Sequence, residues 1–412
     1  MKSYERLIRY ASFPTASDES NPHCPSTPAQ LDFARALTDE LRALGVSDVV
    51  VDDNGYLYAS IPATPGLEQA PALGFIAHMD VSPDAPDAPI RPRVVPFDGN
   101  DIVLNSSPRA VLSRAEFPIL NKYIGKTLVV TDGQTLLGAD DKAGIAEIVT
   151  ACEQWCTHPE LRHPAIRIAF TPDEEIGRGA DLFDLARFNA AYAYTVDGAS
   201  YDDVNYETFN AASLTVRITG RSIHPGDAKN KMVNASLVAM EYISMLPVLE
   251  RPEHTSGYDG FYHLTEMRGN VESAELHFIL RDHDLRRLAD RKTYAQRAAD
   301  ELNRRYHAAV AAVKLHDGYR NMREKIEPAF HLIEHAYAAI RALGATPVST
   351  PVRGGTDGCV LSFRGLPCPN LGTGSHNHHG RFEFACVEEM EQCVSIITGI
   401  STCYADSFLK SR

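Results

Sequence analysis

The spacing of apolar positions changes along the chain, and each change marks an element. Thr27-Pro28-Ala29-Gln30 joins a capping threonine, a proline at the first helical position and a glutamine three residues on, which together predict a helix start. Leu31, Ala34, Leu41 and Leu44 then share one helical face, and Gly45 stops the run. Val46 to Val51 and Tyr56 to Ile61 read as strands joined by the turn Asp52-Asp53-Asn54-Gly55. Short apolar runs at Leu73 to Ala77, Ile166 to Phe170 and Ala191 to Val196 predict buried strands. Between the first two, Lys142 to Cys156 sets Ile145, Ile148, Cys152 and Trp155 on one face of a helix. Strands alternating with helices predict an α/β domain whose central sheet is mixed, mostly parallel and covered on both sides.

Near residue 208 the period shifts to two. Leu214, Val216 and Ile218 alternate with polar residues, as do Leu276, Phe278 and Leu280. Helices are expected from about Asn234 to Leu249 and from Asp284 to Ala312, followed by a strand near Val313 to His316. This is an α+β module with an antiparallel sheet, residues 208–320, inserted into a discontinuous catalytic domain formed by 1–207 and 321–412. After Asn321 the α/β rhythm returns, with a helix from about Pro328 to Leu343.

Composition narrows the field. A chain of 412 residues suits two or three domains, and 44% hydrophobic content suffices for a sizeable core. A formal charge of -14 repels phosphate backbones and argues against nucleic acid as a partner. No apolar stretch approaches the ~20 residues needed to span a membrane. The first residues, Met1-Lys2-Ser3-Tyr4-Glu5, lead into no apolar run, and no two of the cysteines form a C-x-x-C pair. Reduced thiols and a cytoplasmic setting are the expectation.

Five positions share one context: an acid or histidine just past an apolar strand, where open α/β sheets bind ligands. They are His78 in Ala77-His78-Met79-Asp80, Asp140 in Gly138-Ala139-Asp140-Asp141, Glu175 in Thr171-Pro172-Asp173-Glu174-Glu175, Asp197, and the histidines of Ser375-His376-Asn377-His378-His379-Gly380. Taken singly, each has an ordinary reading: a loop histidine, a helix cap at Asp141, solvated glutamates. Together they make a nitrogen and oxygen donor set without cysteine, which suits catalytic zinc and also cobalt or manganese. In an adjacent glutamate pair, one carboxylate can bind metal while the other moves protons. Neither G-x-S-x-G nor H-E-x-x-H occurs, so a serine hydrolase and a zincin are disfavoured.

The stretches H-M-D-V-S-P-D, L-L-G-A-D-D-K-A-G-I-A-E-I, T-P-D-E-E-I-G-R-G, Ser222-Ile223-His224-Pro225-Gly226, R-G-G-T-D-G and the late H-H-G resemble the co-catalytic zinc metallopeptidases, the family of aminoacylase and glutamate carboxypeptidase. Within it they are most similar to the tripeptide aminopeptidases, in order and nearly end to end. The resemblance implies two zinc ions, one held by His78 and Asp197, the other by Glu175 and His379, with Asp140 bridging. It implies that Asp80 orients His78, that Glu174 is the general base, and that the Asp140–Asp141 peptide bond is cis. His224 would polarise the scissile carbonyl, and Arg353, with Arg281 as a second candidate, would pair with a substrate carboxylate. The family usually carries an aromatic residue before its last metal histidine. This chain has His378 there, so His378 competes with His379, and Gly380 favours His379. Short peptides are the implied substrates, and a homodimer through the inserted lid is implied by several relatives. A related dipeptidase, carboxypeptidase or aminoacylase is the alternative.

Overall fold

Leu73–His78 is buried at every position, the mark of a strand flanked on both sides within a covered sheet. It pairs in parallel with Ile166–Thr171 on one side and Tyr192–Gly198 on the other. In the computed structural model, which describes residues 1–85, 89–107 and 109–411, these strands form the middle of a seven-stranded sheet. Leu57–Ile61 and Ser47–Val51 extend it antiparallel on one flank. Asn370–Gly372, parallel to Tyr192–Gly198, and the antiparallel Val204–Asn205 extend it on the other. The sheet is therefore mixed with a parallel centre, as the alternation of strands and helices predicts.

The helix Ala139–Thr157 packs on Leu73–His78 and Tyr192–Gly198, with Ser3–Tyr10 and Val387–Lys410 against it. Another cluster of buried residues gathers Tyr56, Tyr58, Phe183, Phe188, Leu361 and Leu366. A second sheet, Ser375–His376, Phe384–Cys386, Thr127–Val130 and Arg93–Pro96, escapes the periodicity reading because its strands are only two to four residues long. All eight cysteines are free thiols. Among the described residues no helix is long and apolar enough to cross a membrane.

Contacts divide the chain into two units: 1–206 with 324–349 and 356–412, and 207–323 with 350–355. The second unit is a four-stranded antiparallel sheet in the order Phe261–Gly269, Ser273–Asp282, Asn210–Thr219, Ala311–Asp317. Leu214, Val216, Ile218, Leu276, Phe278 and Leu280 all point into one buried core with residues of the helices Ala235–Met245 and Leu285–Tyr306.

Two helix boundaries differ from expectation for local reasons. Asp284 caps the longer helix, its carboxylate accepting the N–H of Arg286 and Arg287. The helix then ends at His307, in the left-handed region at φ 52°, six residues ahead of the expected strand start. The strand accordingly begins early, at Ala311, where it pairs with Ile218. The shorter helix stops at Met245 because Pro247 follows and holds Leu246 extended.

Candidate active site

Parallel pairing aligns the carboxyl ends of the central strands. His78 stands opposite Thr171, and Ile76 opposite Thr195, so His78, the turn after Thr171 and Asp197 emerge along one edge. The buried His78 ring places Nε2 3.0 Å from Asp140 Oδ1, 3.5 Å from Asp197 Oδ1 and 4.0 Å from Glu174 Oε2.

Asp80 meets that ring differently from the simple carboxylate–histidine pair. His78 Nδ1 lies 3.0 Å from the Asp80 backbone carbonyl and 3.5 Å from its carboxylate. The carboxylate instead accepts the N–H of Glu174 at 3.0 Å and of Glu175 at 3.1 Å. One residue thus fixes both the histidine and the acidic turn.

Asp140 is delivered by close packing. A Cβ on Gly144 would sit 1.9 Å from the Val196 carbonyl oxygen, so only glycine lets the helix Ala139–Thr157 start this near the strand that ends in Asp197. Buried Glu383 grips the approach, accepting N–H groups from Leu137 at 2.7 Å, Gly138 at 2.8 Å and Asp140 at 3.0 Å. Asp141, joined to Asp140 by a cis peptide bond, accepts the N–H of Gly144 as a capping residue does, and also that of His78, each at 3.2 Å.

Of the two competing histidines, His379 lies nearer the acidic turn. Its Nε2 is 3.0 Å from Glu175 Oε2 and 3.4 Å from Asp140 Oδ2. His378 Nε2 meets Ser375 Oγ at 2.8 Å, and its Nδ1 is 3.6 Å from Asp140 Oδ2.

The electrostatics are those of too many acids for the cations at hand. Burial, then Asp197, Asp357 and Glu175, holds the Glu174 carboxyl well above the usual range. Burial and Asp140 push Glu175 up to about 7, and burial raises Asp141 and Asp197 as well. Asp140 goes the other way: burial would raise it, but His378, His379 and His78 outweigh that and hold it well below the carboxylate range. Acids crowded like this all ionise only against concentrated positive charge, which cations supply and three imidazoles do not.

The donor chemistry agrees. His78, Asp141 and Asp197 form one group of donor atoms within 4.8 Å of one another, and His78, Asp140 and Glu175 form a second. Glu175 Oε1 is buried with no hydrogen-bond partner. The residues therefore fit a metal cofactor. Asp141, which reads in the sequence as a cap, stands with the expected ligands in the first group.

Both groups rest on the first unit. Residues 206–310, in contrast, match the family described as Peptidase dimerisation domain. Over the whole chain, the peptidase T of Caldanaerobacter subterraneus subsp. tengcongensis is 50% identical across 404 residues, covering 98% of each protein. The chain belongs to the peptidase T family. It is a metallo-aminopeptidase. Among solved structures, an aminopeptidase PepT from Bacillus cereus has the same fold, with a TM-score of 0.76 at 22% identity and 98% of both chains covered. A tripeptidase from Staphylococcus aureus gives 0.77 at 19%, again over 98% of both.

Three of the sequence-predicted residues of this peptidase T family member lie in the second unit. His224 is on an exposed loop, and its Nδ1 accepts the Gly226 N–H at 3.2 Å. Arg353 lies over the rings of Phe209 and Phe261 and donates to the carbonyls of Gly257 and Asp259. Arg281 sits over Tyr319 and donates to the carbonyls of Ala212 and Leu280.

Two buried acids near the centre were not singled out from the sequence. Glu383 carried a signal, an acid between Phe382 and Phe384. Asp357, in the same R-G-G-T-D-G stretch as Arg353, accepts the Thr171 hydroxyl at 2.7 Å, and burial pushes its carboxyl up to about 7.

Proposed function

We propose that this enzyme releases the N-terminal residue of short peptides, tripeptides foremost, in the cytoplasm, at a pair of zinc ions for which cobalt or manganese can substitute. His78 and Asp197 would hold one ion, Glu175 and His379 the other, and Asp140 both. When bound, the ions supply Lewis acidity and lower the pKa of a water at the site.

The observation that carries the reading is Glu174. Its carboxyl, raised by burial, reaches to 4.0 Å from His78 and adjoins Glu175 of the second donor group. A carboxyl held above its ordinary range by burial can both take and return a proton. Glu174 accepts the proton of the attacking water and passes it to the leaving amine. Asp80, through the Glu174 N–H, keeps that carboxyl in place.

His224 serves as a donor to the developing oxyanion. With Nδ1 accepting from Gly226, the neutral ring carries its proton on Nε2, where it can be donated. Arg353, its guanidinium plane fixed by two rings and two carbonyls, suits a substrate carboxylate, with Arg281 as a second contact. The inserted unit acts as lid and as homodimer contact, which favours short substrates.

Hydrolysis of di-, tri- and tetrapeptides, each free and N-acetylated, tests the proposal. Cleavage of the free tripeptide with its acetylated twin left intact is expected. Preference for the acetylated form would place the activity in the acylase or carboxypeptidase branch.

A further inference from the structure

Gln30 has the position of a capping glutamine and does not cap. The Thr27 side chain makes no cap bond and instead donates to the Ala16 carbonyl. The Gln30 amide turns inward onto Asp173, and both of its ends are used. Nε2 donates to Asp173 Oδ1 at 2.7 Å, and Oε1 accepts the Asp173 N–H at 3.1 Å. Ser26 completes the grip, its N–H on Oδ2 at 2.7 Å and its hydroxyl on Oδ1 at 2.5 Å. Ser26, Gln30 and Asp173 are all buried.

Asp173 is the residue directly before Glu174, and its backbone is left-handed at φ 58°. Aspartate enters that region more readily than most residues, and here its carboxylate and its N–H are both bonded. Gln30 holds the carboxylate and the peptide N–H together, which fixes both the side chain and the peptide plane of Asp173. The acidic turn then has two handles. Asp80 takes the N–H groups of Glu174 and Glu175. Ser26 and Gln30 take the residue before them. With only the first, the turn could pivot at Asp173 and swing the Glu174 carboxyl away from His78.

We propose that Gln30 and Ser26, acting through Asp173, are positioning residues for Glu174. The inference rests on the reading of Glu174 as general base. It concerns where a carboxyl is held, not whether metal binds, so it predicts a loss in kcat with metal content intact.

The experiment is an exchange of the pair. Gln30→Glu removes the amide donor and sets a second carboxylate against Asp173. Asp173→Asn turns one carboxylate oxygen into an NH2 donor, so the side chain can no longer accept from both Gln30 Nε2 and the Ser26 N–H. Each single variant is expected to lower kcat roughly 10- to 100-fold with KM within about twofold, the scale of losses from outer partners and small misplacements. Metal content per chain should stay near wild type, with rates read at a temperature where each variant is folded, since two buried carboxylates in contact lower the thermal midpoint. In the double variant, the amide introduced at position 173 can donate to the carboxylate introduced at position 30, restoring the pair in reverse. Its kcat is expected to recover at least about tenfold over either single variant, since contacting residues couple.

Wild-type kcat in both single variants would overturn the inference. So would a loss that follows metal content or folding, or a double variant no better than the singles. Should Gln30→Glu fail to fold, Ser26→Ala reads the same handle: a lower kcat at unchanged KM supports it, and an unchanged kcat overturns it. Glu174→Gln runs alongside. If that variant keeps turnover, the base assignment fails; if it is inactive while the pair variants are not, only the positioning inference fails.

Discussion

The backbone N–H of Glu174 donates to Asp80 Oδ1 at 3.0 Å, while the same carboxylate lies 3.5 Å from the ring of His78. A histidine at one strand end and an acid beyond the next are therefore held by a single residue, the histidine chiefly through that residue's backbone carbonyl. Glu174→Gln keeps the shape of this arrangement and removes the base. Turnover should fall by about 10²–10⁴, with the metal complement unchanged. Metal analysis beside steady-state rates checks this; loss of metal would make Glu174 a ligand instead.

His224→Ala should lower kcat by about 10²–10³ and leave KM little changed, the signature of a donor used in the transition state. A change confined to KM would remove His224 from the oxyanion role.

Gly144→Ala should destabilise the fold by about 1–3 kcal/mol, the usual penalty for forcing atoms into a packed site. The added methyl meets the Val196 carbonyl, so the helix carrying Asp140 has to shift from Asp197. Denaturant unfolding and metal titration should therefore worsen together. Unchanged metal affinity would mean that this contact does not set the Asp140 position.

Much of the architecture was legible because burial imposes period. Leu73 to Ala77 is apolar throughout, and Ile166 to Phe170 is apolar but for half-buried Arg167, since both of their faces are covered, and the alternation from Leu214 marks a sheet with one covered face. The strands around Thr127–Val130 and Phe384–Cys386 are too short to show a period. In the site, the acids past strand ends announced themselves by position. The partners that hold them did not. Gln30 satisfies a helix-start pattern and serves Asp173 instead, a contact spanning 143 residues that local spacing cannot report. Glu383 likewise reaches across the chain to the N–H groups before Asp140.

Acid sensitivity should arise partly from His335, remote in sequence from the proposed ligands. Its ring packs on Tyr404, its Nε2 meets Ser407, and its buried Nδ1 has no partner among the described residues. Burial and His331 push its pKa down to about 4. The unfolded chain, with an ordinary value of about 6.5, takes up the proton first. The contribution is therefore complete above about pH 6.5 and is lost as pH falls toward 4, by about 1–2 kcal/mol after allowing for screening. Urea midpoints at pH 7 and 5 should converge in His335→Phe relative to wild type. An identical drop in both would assign the sensitivity elsewhere.

The most direct test of the central claim is zinc titration of the chelated enzyme while hydrolysis of a free tripeptide is followed. A centre built on Asp140 between two donor sets predicts that chelation abolishes activity and that full recovery requires two equivalents of zinc per chain. Activity that survives chelation, or recovery that is complete at one equivalent, would contradict it.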